Sequence, residues 1–307
     1  MLKSQYPNET FEPICVKGIR KLAVESLCHR LKVDTTRAKN VPMVIDEEHK
    51  LAFCEISKAG STNMKRVMAL ATKKGRKLRK DVERRWHNRH FLRELGIRTV
   101  YSNEIFLDGY TKFFIVRHPF DRLVSAYTDK VGPQSSGNGG YDMFSRLVLH
   151  INHPNASEAD LDRMSKPSFK EFIHALVTSR DLLINNHWEA YALKYCDPCH
   201  IDYDHIMRIE TMSFDFLPLT RMLRVKDTFA EEQRLKTYKS PRLKDAHVQV
   251  RNDSYVRLRR LEEFADVPAE EVQILEEYYN LEFQLFGYSF DQKNSMPGCK
   301  FEDTGCC

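Results

Sequence analysis

Lys58, Gly60, Ser61 and Thr62 fall close together in the stretch CEISKAGSTNMKRVM, Cys54 to Met68. A lysine and a glycine-containing turn ahead of a helix suit a phosphate, because the lysine supplies charge and the backbone N–H groups supply donors. The stretch is not a Walker loop, since Lys58 precedes the only glycine and no Lys-Ser/Thr pair opens the helix. A second set lies in RHPFDRLVSA, Arg117 to Ala126. Arg117 offers a planar fork for a dianionic phosphate, and Ser125, eight residues on, offers a hydroxyl. A nucleotide phosphorylated at two separated positions would use both sets. The contrary reading makes Lys58 a surface lysine and pairs Arg117 with Asp121.

The elements around these residues follow from hydropathy. KLAFCEI, Lys50 to Ile56, reads as a buried strand, and Met64, Val67, Met68 and Ala71 mark one face of a helix that Ser61 or Thr62 can cap. Phe113 to Val116 read as a second strand, followed by a helix that Pro119 opens and that carries Phe120, Leu123, Val124 and Tyr127 on its apolar stripe. A third strand is predicted over His205 to Ile209. Helices are predicted from Ser168 and over Glu270 to Tyr279, with the ending LEFQLFGYSF packing back on the core. Ile19, Leu22, Ala23, Ser26 and Leu27 give the first forty residues a helical pattern, and Val131 to Tyr141 read as a mobile loop. The predicted fold is α/β, a P-loop-like parallel sheet flanked by helices with a mainly helical C-terminal half, its ligands at the carboxyl ends of the strands. Residues 1–49 form a lead-in, 50–290 the main domain and 291–307 a cysteine-containing tail.

Composition narrows the function. The 307 residues are 42% hydrophobic and 30% charged, enough for a substantial core. No apolar run reaches membrane-spanning length and no signal-peptide core opens the chain. A net charge of +5 suits anionic ligands without demanding nucleic acid, and no nucleic-acid partner is expected. The charge is clustered in KKGRKLRKDVERR, Lys73 to Arg85, which reads either as a solvated helix face or as a polyanion-binding strip. Eight cysteines and sequons at Asn8, Asn155 and Asn252 lean towards an oxidising compartment. Cys196-Asp197-Pro198-Cys199-His200 formally spells haem attachment, half a zinc site or a redox pair, but no partner set for haem or zinc is evident. A structural disulfide or two buried thiols is the better reading, and eight cysteines allow about 105 connectivities.

Four stretches together resemble the Golgi carbohydrate sulfotransferases of the chondroitin/dermatan 4-O and HNK-1 group. The loop matches that family's 5'-phosphosulfate motif at Lys58, Thr62, Asn63 and Lys65, with Ser57 in place of proline and Met64 in place of tryptophan. Its 3'-phosphate motif is matched by Arg117, Pro119, Phe120, Arg122, Leu123, Ser125 and Ala126. NNHWEAYALKYCDPCHIDYD and YYNLEFQLFGYSF resemble two further blocks, with Glu282 for the usual aspartate. The resemblance implies the co-substrate 3'-phosphoadenosine 5'-phosphosulfate (PAPS), held by Lys58, Ala59, Gly60, Ser61, Thr62, Asn63, Arg117 and Ser125, and no metal. It also implies an anionic, chondroitin-like glycan acceptor, a Golgi location and a disulfide among the shared cysteines. Lys58 would stabilise the leaving phosphate, and a histidine would take the acceptor's proton. His87 is the expected base, with His90 and His187 behind it. Two alternatives stay open: an inactive PAPS- or glycan-binding module, and a P-loop kinase, which would need Mg²⁺ ligands that no strand-end aspartate supplies.

Overall fold

Leu51–Cys54 bury all four side chains, and so do Phe113 to Val116, so each stretch needs cover on both faces. The computed structural model describes residues 14–32, 40–85, 88–103, 105–135, 142–225 and 253–289. Its sheet contains β1 (Pro42–Asp46), β2 (Leu51–Cys54), β3 (Ile97–Tyr101), β4 (Thr111–Val116) and β5 (His205–Arg208), in the spatial order β3-β1-β2-β4-β5. β2, β4 and β5 are parallel neighbours, with Phe53 opposite Phe113 and Phe114 opposite Ile206. These are the three strands read from the sequence. β1 and β3 add an antiparallel edge that the sequence reading missed.

Side-chain alternation splits the core. Phe53, Phe113, Ile115 and Met207 face one layer, built from α2 (Ser61–Ala71), α3 (Lys73–Lys77), α4 (Arg79–Arg85) and α5 (Arg89–Glu94). Ala52, Cys54, Phe114, Val116 and Ile206 face the other, covered by α1 (Ile14–Arg30) and by the ending Leu285, Phe286 and Tyr288. The C-terminal segment therefore packs back on the core. A third cluster joins α6 (Pro119–Ala126), α7 (Asp142–Asn152) and α8 (Phe169–Thr178) to the helices Asp253–Phe264 and Ala269–Tyr278 around Phe120, Phe172, Trp188 and Tyr279.

The lead-in helix forms, but turned from its expected face. Arg20, Val24 and Leu27 are buried while Leu22 is exposed, because the Arg20 guanidinium bonds the Ile206 carbonyl, Thr211 and Asp215. At 3.6 residues per turn Leu22 sits about 200° from Arg20 and cannot share that face. Cys28 of α1 bonds Cys199, and Cys54 at the end of β2 bonds Cys196. The two cysteines of the Cys-x-x-Cys stretch thus go to different partners, which rules out a shared metal or redox pair there. No helix among the described residues is long and apolar enough to cross a membrane. The tail after 289 lies outside the described residues, as do 136–141 of the loop read as mobile.

Candidate functional site

The chain leaves β2 at Cys54 and must reverse within six residues to enter α2. It does so through two left-handed residues, Lys58 at φ 65° and Gly60 at φ 84°. Glycine suits the second position twice over, since a Cβ there would also stand 3.2 Å from Ile209 Cδ1. Gly60 itself is the residue preceding α2, and no side chain caps the helix. The expected cap by Ser61 or Thr62 is therefore corrected: the helix starts at Ser61, so both hydroxyls lie inside its first turn. That turn, Ser61 to Asn63, directs its N–H groups and the positive end of the helix dipole at the loop. Ala59 is buried beneath it.

β4 runs beside β2, so its end brings Arg117 to the same place. Arg117 Nη1 donates to the Lys58 carbonyl oxygen at 3.2 Å, joining the two expected anion loops. The Arg117 carbonyl accepts from the Tyr191 hydroxyl at 3.1 Å. Asp121 faces the buried Arg260 guanidinium at 3.3 Å. Ser125 lies near the end of α6 and is partly exposed.

Two residues that sequence reading missed complete the charge pattern. Lys58 Nζ stands 2.6 Å from Asp129 Oδ2, and Lys130 Nζ reaches the same oxygen at 3.3 Å. They lie on a single π turn, Tyr127–Val131, that continues α6. Burial pushes the Lys58 ammonium below the ordinary lysine range, and Lys130 and Arg117 add to that, against the pull of Asp129. Burial opposes the charge of Asp129, yet the two ammonium groups hold its carboxyl below the usual range. The only hint in the sequence was the pair Asp129-Lys130 directly after the helix stripe.

Arg122 is the third joint. Its buried guanidinium donates from Nε to the Ser57 carbonyl at 3.0 Å, from Nη1 to the Glu189 carbonyl at 2.8 Å and from Nη2 to the Asn186 carbonyl at 2.7 Å. It also lies over the Tyr191 ring, 4.7 Å from its centroid. With every nitrogen engaged it braces the site. Glu282 accepts from the Tyr191 N–H at 2.6 Å, holding the same segment from behind.

The segment bound by Arg122 carries His187, half-buried and near enough to Lys58 and Lys130 to feel their charge. His87 lies outside the described residues, and His90 is exposed on α5. The basic strip is largely engaged elsewhere. Lys74 Nζ donates to the Glu94 carbonyl, Arg76 to the carbonyls of Ala71 and Leu223, and Arg84 pairs with Asp81. It begins past the far end of the 11-residue α2, about 16 Å along the helix from the loop.

Three parallel strands that end on one side, with a lysine turn and an arginine bonded together there, define an α/β protein whose cationic groups gather at the carboxyl ends of its strands. The chain belongs to the sulfotransferase family, whose model matches residues 41–289. It is 29% identical over 249 residues to carbohydrate sulfotransferase 9 of Homo sapiens, covering 80% of this chain and 52% of that one. It is 32% identical over 255 residues to carbohydrate sulfotransferase 11 of Rattus norvegicus, covering 80% and 67%. Against carbohydrate sulfotransferase 8 of Homo sapiens it is 29% identical over 279 residues, covering 88% and 62%. The chain thus spans about half to two thirds of the length of these curated relatives. No solved structure matches it.

Proposed function

We propose that this chain transfers a sulfuryl group from PAPS to a hydroxyl of a glycan, the acceptor being an anionic, chondroitin-like polysaccharide. The observation that carries this reading is the Arg117–Lys58 bond, which makes one site of two anion loops at the ends of adjacent parallel strands. The donor set fits a nucleotide phosphorylated at both ends: the Lys58 ammonium and the first turn of α2 for the 5'-phosphosulfate, and the Arg117 fork with Ser125 for the 3'-phosphate. The matched family and its carbohydrate sulfotransferase relatives support the same class of reaction.

In such a transfer the acceptor oxygen attacks sulfur in line, and the phosphate oxygen leaves with the bonding electron pair. Lys58 neutralises the charge that collects on the leaving oxygen, in a loop whose geometry is fixed beforehand by Gly60 and Arg122. Two disulfides and the sequons support an oxidising compartment, the Golgi lumen being the one the family resemblance implies. Transfer of radiolabelled sulfate from PAPS to a panel of desulfated glycosaminoglycans tests the reading. Label on a chondroitin backbone is the expected result. Tight donor binding without transfer would make the chain a binding module, and phosphate transfer from ATP with Mg²⁺ would make it a kinase.

A further inference from the structure

Arg117 stands where β4 has ended and α6 has not begun, so neither element fixes the direction of its side chain. Its backbone is held instead from both edges of one peptide unit. The Arg117 carbonyl accepts from the Tyr191 hydroxyl at 3.1 Å, and the N–H of the same peptide, that of His118, donates to Glu210 Oε1 at 2.7 Å. A peptide unit is planar, so bonds at its two opposite edges set its orientation and with it the course of the chain at Arg117. The other oxygen of Glu210 accepts from the Tyr288 hydroxyl at 2.8 Å. Burial first, then the charge of Glu210, push the Tyr288 hydroxyl well above the ordinary tyrosine range, and burial does the same for Tyr191. Both hydroxyls therefore keep their hydrogen and act as donors at any working pH.

Glu210 lies two residues beyond the end of β5. Ile209, just before it, adds one more bond to the β4–β5 ladder, its N–H donating to the Val116 carbonyl at 2.9 Å, and its Cδ1 lies against Gly60. The chain leaving β5 thus touches both anion loops: Ile209 meets the lysine turn, and Glu210 meets the arginine turn.

We propose that Glu210 is a positioning residue for the donor's 3'-phosphate, clamping the Arg117–His118 peptide together with Tyr191 so that the Arg117 fork is aimed; the assignment rests on the sulfuryl-transfer reading. Glu210 acts through Arg117 and touches no phosphate. The sign of its effect separates this role from a direct one. A carboxylate acting on the ligand through its charge repels a dianion, and its removal would tighten binding. A carboxylate acting as a clamp loses the aim of Arg117 when it is removed, and binding weakens. Arg117 serves the 3'-phosphate in that reading, so the weakening falls on a nucleotide that carries one and spares a nucleotide that does not.

Calorimetry on the whole chain with adenosine 3',5'-bisphosphate and with AMP is the test. Glu210→Ala should weaken the bisphosphate about 10-fold and AMP less than about twofold. Glu210→Gln keeps an oxygen for the His118 N–H and should recover most of that loss. Tyr191→Phe keeps the ring and removes only the hydroxyl at the other edge of the peptide. It should weaken the bisphosphate about 3- to 10-fold with AMP again spared, and it reads the clamp even where the alanine variant fails to fold. In an Arg117→Ala background these substitutions should no longer separate the two nucleotides, because their effect passes through Arg117. Equal losses for both nucleotides would overturn the proposal, by making Glu210 and Tyr191 supports of the fold alone. Tighter bisphosphate binding by Glu210→Gln would also overturn it, as would a selective loss that persists without Arg117. A wild-type chain that binds the two nucleotides equally removes the parent reading, an outcome distinct from a selective wild type beside unselective losses in the variants.

Discussion

The Nε of Arg122 and the carbonyl oxygen of Ser57 lie 3.0 Å apart, and this bond fixes α6 to the residue that precedes Lys58. The same guanidinium holds two carbonyls of the segment that carries His187. Arg122 is fully buried, so its removal strands three acceptors at once. Arg122→Ala should cost about 3–5 kcal/mol of stability, read from the urea midpoint. Arg122→Lys should recover less than half, because one ammonium cannot reproduce a three-way planar fork. A stable Arg122→Ala that loses only donor affinity would return Arg122 to the ligand.

Arg117 keeps one nitrogen on Lys58, and in the proposed function the rest of its fork serves the 3'-phosphate. Arg117→Ala should weaken adenosine 3',5'-bisphosphate about 10- to 100-fold, the worth of one charge-assisted contact, and AMP much less. Calorimetry with the two nucleotides separates the cases. Equal losses would mean that Arg117 serves only the loop.

β2 and β4 were legible because strands buried on both faces read as unbroken apolar runs, LAFC and FFIV. β3 was not, since IRTVY places Arg98 and Thr99 in a half-exposed edge strand and reads like loop. β1 is five residues long and begins with proline, a weak signal for a strand. The anion loops were legible from residue type and spacing. Asp129 and the bracing role of Arg122 were not, because they arise from contacts 64 to 71 positions apart in the chain. A buried arginine on a helix looks in sequence like any exposed one.

His118 should make stability fall with acid. Its Nδ1 accepts from the Phe120 N–H at 3.1 Å and Nε2 donates to the Ser289 carbonyl at 3.0 Å. Burial, then the charge of Arg260, press it down to about 3. In the unfolded chain a histidine titrates near 6.5. Between those values the unfolded state binds a proton that the folded state refuses, so stability is complete above about pH 6.5 and drops by up to about 1.4 kcal/mol per unit below it. His118→Asn keeps an acceptor for the helix start and has nothing to titrate. Its melting temperature should vary less between pH 6.5 and 4 than that of the wild type. Parallel curves would show that His118 titrates freely in the fold.

Asp129 should hold donor affinity down. In the free protein its carboxylate holds Lys58, so a donor anion must compete for that ammonium. Asp129→Asn removes the competitor without changing the shape, and for a half-exposed pair the gain in adenosine 3',5'-bisphosphate affinity should be about 1.5- to 5-fold. The pH dependence follows from the sign. The ammonium groups keep the Asp129 carboxyl below the ordinary range, and a donor that draws Lys58 away lets it rise. Binding thus takes up protons, and affinity should increase as pH falls towards the carboxylate range, a trend the asparagine variant should lack. If the asparagine variant binds the bisphosphate less tightly than the wild type, Asp129 positions Lys58 and does not compete for it.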